Sequence, residues 1–118
     1  MLRRMVQFYS GVDRHIQLKA SFMGAKTARV NANVALSSKP SGCIVWIWFN
    51  PDTMNLGPLL WYGNNPGEPL PPLGDRIGKH SKGDQYGVKA ERPNVRVINK
   101  GQFRAITTVN ELATQLFG

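Results

Sequence analysis

Residues 14–22 read RHIQLKASF, with a lysine two positions after a glutamine on a segment that alternates like a β-strand. At a period of two, His15, Gln17 and Lys19 share one face, and Ile16, Leu18 and Ala20 share the other. An imidazole, an amide and an ammonium in one row make a polar strip suited to phosphate oxygens. The plain alternative is the wet face of an edge strand, with His15 an ordinary surface histidine. Asp13, four positions before Gln17, is the sole Asp or Glu in residues 1–39.

A second concentration of chemistry lies at residues 76–104. Arg76, Lys79, His80 and Lys82 alternate with Gly78, Gly83 and Gly87, and Tyr86 stands among them. Cations interleaved with an aromatic on an adaptable loop suit contact with a nucleic-acid backbone and stacking on its bases. A solvated mobile loop is the bland counterpart. Arg92, Arg96 and Lys100 follow on a strand-like segment in which Val95 and Val97 point away from Arg96.

The net charge of +8 is unevenly spread. Residues 1–39 carry seven Lys/Arg against Asp13, residues 40–75 carry none against three acids, and residues 76–104 carry eight against Asp84 and Glu91. Two basic segments around an acidic middle can form one basic face if the fold brings them together, and such a face attracts phosphate through counterion release. The residues expected to supply it are Lys19, Arg29, Arg76, Lys79, Lys82 and Arg96.

Other chemistries find little support. Two histidines and one cysteine lack the spacing of a zinc site. No G-x-S-x-G, phosphate-loop or dinucleotide fingerprint occurs, and Ser81 and Cys43 lack a recognisable base partner. A lone Cys43 inside an apolar run behaves as a small hydrophobe. The opening MLRRMVQFY has no apolar core of a signal peptide, and no segment reaches the length of a membrane span, so a cytoplasmic location is expected.

The elements that must position these residues fit one domain of 118 residues. Residues 5–9 read as a short strand, 14–22 as a second, and 28–36 (ARVNANVAL) as a third that is half-buried. CIVWIWF, residues 43–49, is apolar on both faces and is the expected central strand, with PLLWY returning as its hairpin partner. A long region over 63–90, rich first in Pro and Gly and then in basic residues, is expected to lie over the surface as loop. PNVRVI, residues 93–98, is a last strand. Thr108 and Glu111 form a capping box, Val109, Leu112, Ala113, Leu116 and Phe117 make an amphipathic helix, and Gly118 closes it. The expected class is α+β: a mixed or mainly antiparallel sheet of about five strands with a C-terminal helix packed on it.

The order IQLKAS, an alternating strand, KPSGCIVWIWFNP, the return LLWYG, and later RPNVRVI with a terminal helix resembles the PD-(D/E)xK, or restriction-endonuclease-like, superfamily. It is most similar to small bacterial members whose motif strand reads Q-x-K followed by a small residue. The likeness covers about residues 12–60. It implies a restriction-endonuclease-like core and a Mg²⁺-dependent phosphodiesterase site. By that resemblance Asp13 and Gln17 would stand on the metal side, and Lys19 would orient water or steady phosphate charge. The sequence departs from the pattern in three ways: no acid precedes Asp13, Gln replaces Glu, and the family's N-terminal helix is missing. The expectation is therefore a catalytically incomplete nuclease-like module that binds nucleic-acid backbone, without a resident cofactor. Mg²⁺ enters only if another carboxylate, from Asp75, Asp84 or a second chain, completes the site. A third expectation is self-association, since a sheet bearing Trp46, Trp48 and Trp61 is large for one helix to cover. Such a homo-oligomer could also exist with no nucleic-acid role.

Overall fold

A strand that is apolar on both faces must be covered on both, and residues 42–49 are the axis about which this chain layers itself. The computed structural model describes residues 13–80 and 83–118. Among these the chain forms β1 (His15–Phe22), β2 (Arg29–Asn33), a short 3-10 segment (Val34–Ser38), β3 (Gly42–Phe49), β4 (Leu56–Gly63) and β5 (Ile77–Lys79). There follow β6 (Glu91–Asn99), a second 3-10 segment (Lys100–Gln102), β7 (Arg104–Ile106) and helix α1 (Val109–Phe117). The strands divide between a four-stranded sheet ordered β1-β3-β4-β7 and a three-stranded sheet ordered β2-β6-β5. β1 runs parallel to β3, and the remaining pairs are antiparallel.

The two faces of β3 build two cores. Cys43 and Val45, with Leu59 and Trp61 of β4 and Ile106 of β7, pack beneath Leu112 and Leu116 of α1. Ile44, Trp46 and Trp48, with Leu60, pack against Ala32 of β2 and Ile98 of β6, and Leu70, Leu73 and Phe103 close the edges. The result is three layers: helix, four-stranded sheet, three-stranded sheet. The Trp46 ring lies 5.4 Å from both Trp48 and Phe103, edge-on to the latter, and its indole N–H donates to Ser21 Oγ at 3.0 Å. The proline-rich stretch before β5 is an ordered cover, held where the Tyr62 hydroxyl donates to the Pro72 carbonyl.

The α+β class and the C-terminal helix match the expectation from sequence. Thr108 Oγ accepts the Glu111 N–H at 3.1 Å, while the Glu111 carboxylate reaches back to the Thr107 N–H, one residue earlier than a strict capping box. The strand count differs: among the described residues seven strands in two sheets stand where one sheet of about five was expected. β2 stops at Asn33 because its side chain accepts the Ala35 N–H at 2.9 Å and turns the chain into 3-10 geometry. β5 forms inside the region expected to be loop, drawn into pairing by β6. The strand read at residues 5–9 lies outside the described residues.

The tryptophan expectation is corrected. Trp46, Trp48 and Trp61 are all buried within the chain, the first two under the second sheet and the third under α1, so they offer no surface for association. Among the described residues no helix is long and apolar enough to cross a membrane.

Candidate nucleic-acid interface

The outward face of the three-stranded sheet gathers basic side chains from three chain segments, with Glu91 of β6 opposite Lys79. On β2, Val30 and Ala32 turn to the core, so Arg29 and Asn31 turn out. Asn31 stands opposite Val97 on the central strand β6. On the far side β5 delivers Lys79, and Arg76 just before it is fixed where its carbonyl accepts the Val97 N–H at 2.8 Å. β5 can approach this closely because Gly78 lacks a side chain: a Cβ there would lie 2.6 Å from Val95 Cγ1.

These elements enclose a cavity of about 470 Å³ floored by Val97 and Asn31. Arg29, Arg76, Lys79, Lys89 and His80 line its walls, and no carboxylate does. The Arg76 guanidinium is oriented by the neutral Asn99 amide oxygen at 3.2 Å. Like charges gathered around one concavity repel one another and concentrate anions, and Arg and Lys together offer the donors that phosphate oxygens accept. A larger groove of about 720 Å³ beside α1 has no such excess: Glu111 lines it and Gln115 engages its Arg104.

The segment leading from this cavity into β6 is a built turn. Asp84 Oδ1 accepts the N–H groups of Tyr86 at 2.8 Å and Val88 at 2.9 Å, and the Asp84 N–H donates to the Val88 carbonyl at 2.8 Å. Gly87 takes φ +79, a value suited to glycine. The turn leaves the Tyr86 side chain 81% exposed. Its base is joined to the cavity wall where the His80 N–H donates to the Ala90 carbonyl at 2.9 Å.

Of the residues named from sequence, Arg29, Arg76 and Lys79 converge on the cavity. Lys82 lies outside the described residues. Arg96 stands opposite the buried Ala32, on the core-facing side of the sheet, and its guanidinium folds back onto the Pro93 and Val95 carbonyls at 2.7 and 3.2 Å. Lys19 is not brought to the cavity. It and Gln17 pair with Trp46 and Ile44 on β3, so both side chains start toward the gap between the sheets and are half-buried. Gln17 Nε2 donates to the Asn31 carbonyl at 3.4 Å, a contact that ties β1 to β2. His15 Nδ1 lies 2.8 Å from the Pro40 carbonyl, which requires the proton on that nitrogen. Lys89 was not singled out from sequence, because its membership depends on the return of the chain into β6.

The donor set at the Q-x-K strand does not fit Mg²⁺. Gln17 points its amide nitrogen at a carbonyl, and among the described residues no three His, Cys, Asp or Glu side chains gather where they could hold a metal.

One further polar centre escaped sequence reading. Arg14 is 1% exposed. Its Nη1 donates to the Leu116 carbonyl at 3.0 Å and its Nη2 to the Asn64 carbonyl at 2.9 Å, with the guanidinium carbon 5.0 Å from the Trp61 ring centre. Nε is buried and has no hydrogen-bond partner among the described residues. Arg14 thus fastens the last turn of α1 to the start of β1. Beside it, burial pushes the Cys43 thiol up, opposed in part by the Arg14 charge, so Cys43 stays a neutral thiol. No protein-family model, curated protein or solved structure matches this chain.

Proposed function

We propose that this chain binds the phosphate backbone of nucleic acid through the outward face of its three-stranded sheet. One observation carries the reading: five basic side chains from β2, the β5 region and the approach to β6 line one cavity without a carboxylate. A protein whose net charge is +8 could spread its cations as a solvated shell, but convergence from three chain segments around a concavity is the arrangement that favours a polyanion. In this reading the Q-x-K strand is a restriction-endonuclease-like element without a complete metal site, and the module binds without cutting. A cytoplasmic setting belongs to the same proposal. The test is electrophoretic or anisotropy binding of labelled oligonucleotides to the full chain and to Lys79→Ala/Lys89→Ala. Loss of affinity for every sequence alike supports the reading, and unchanged affinity refutes it. Addition of Mg²⁺ should leave the oligonucleotides intact.

Self-association is a second reading, favoured by a specific surface. Among the described residues β1 is an edge strand, and Leu18, Phe22 and Leu56 on the helix-side face of its sheet are 62%, 53% and 53% exposed. An open edge beside exposed apolar side chains invites pairing with a second copy. Light scattering should then give a discrete dimer at high salt that Leu18→Lys dissociates; a monomer at all concentrations would discard this reading.

A further inference from the structure

We infer that the nucleic acid held at this face is single-stranded, with an unpaired base stacked on Tyr86; the inference rests on the backbone-binding reading above. Two independent features point to it. Among the described residues Tyr86 is the most exposed of the large apolar side chains, at 81%, and it is carried on a hydrogen-bonded turn. Asp84 fastens the backbone of the turn through the Tyr86 and Val88 N–H groups, and the Asp84 and Gly87 backbone bonds close it. A ring held out in water on a hydrogen-bonded turn is a surface open to a planar partner, and the backbone beneath it is already ordered before binding.

The turn is also continuous with the cationic cavity. Lys89 follows Tyr86 by three residues, at most ~11 Å of extended chain, and Lys89 and His80 both line the cavity. Phosphates seated against Arg29, Arg76 and Lys79 would therefore leave a neighbouring nucleotide within reach of the ring. In a duplex that nucleotide's base is stacked and paired inside the helix, and the ring gains nothing from it. In a single strand the base is free to lie on the aromatic face, a contact tolerant of sequence because every base has one.

The experiment compares a labelled twelve-nucleotide oligothymidine, a duplex of matched length and inorganic polyphosphate, each binding to the full chain at one salt concentration. The oligothymidine should bind more tightly than the duplex. Tyr86→Ala should weaken oligothymidine binding by about 5- to 150-fold, while leaving polyphosphate binding unchanged, and Tyr86→Phe should restore it. Duplex binding as tight as the single strand, or a Tyr86→Ala variant as tight as the parent, overturns the inference while Lys79→Ala still reports on the backbone reading. Absence of binding to all three ligands at low salt overturns both.

Discussion

Replacing the buried Arg14 by Leu should cost the fold a large share of its stability, and the structure permits the size to be worked. Two hydrogen bonds from a charged donor, to Leu116 and Asn64, are worth ~1.5–3 kcal/mol each. The desolvated guanidinium over Trp61 adds ~2 kcal/mol. Against these stand the desolvation of a fully buried cation, several kcal/mol, and an Nε with no hydrogen-bond partner among the described residues. The loss on substitution is then on the order of 2–4 kcal/mol, since the carbonyls stay behind without their donor and α1 is no longer tied to β1. That is a large part of the stability of a small domain. Urea unfolding followed by tryptophan fluorescence reads it directly, because Trp61 lies under the guanidinium: the midpoint should fall while the slope is unchanged. Arg14→Lys should recover only part, having one ammonium for two carbonyls. A shift below about 0.5 kcal/mol, the size typical of an ordinary surface substitution, would refute the claim that Arg14 fastens the helix.

Gly63→Ala places a Cβ 2.8 Å from Cys43 Cβ and 2.6 Å from the Trp61 ring, and overpacking there should cost ~1–3 kcal/mol in the same unfolding assay. Thr108→Ala removes the acceptor that caps α1 and should cost ~1 kcal/mol. Burial raises both the Cys43 thiol and the Tyr62 hydroxyl above their ordinary values, so the folded state holds these protons more tightly than the unfolded chain does. Their contribution is present in full below those ordinary values and is lost as pH climbs from about 9 through the raised ones. Urea midpoints should therefore fall in that alkaline range, and Cys43 should resist iodoacetamide until the chain unfolds.

The residues that form their elements from local pattern alone were legible. β3 and β4 declared themselves by apolar content and a turn between them, β1 by alternation, and α1 by its cap and its 3.6-residue spacing. What failed was whatever depends on distant pairing. β5 has three residues, one of them glycine, and exists because β6 offers it an edge. β2 reads as strand through Leu36, yet the Asn33 side chain captures a backbone N–H and ends it. Missing the second sheet left the tryptophans without a cover and suggested an interface where there is a core. The candidate site suffered in the same way. Charge totals announced two basic segments, but only the order β2-β6-β5 puts Arg29 and Lys79 around one cavity. Arg96 changed faces by register against Ala32. Arg14 gave no signal of burial because its partners are backbone carbonyls far along the chain.

If the four Lys and Arg side chains at one cavity meet phosphates, the salt dependence of oligonucleotide affinity measures it most directly. Each phosphate neutralised adds about −0.7 to the slope of log K against log salt for a single strand. Full engagement of the cavity therefore predicts a slope of about −3, falling by about half in Lys79→Ala/Lys89→Ala. A slope near zero, or one that the double substitution leaves unchanged, would contradict the account.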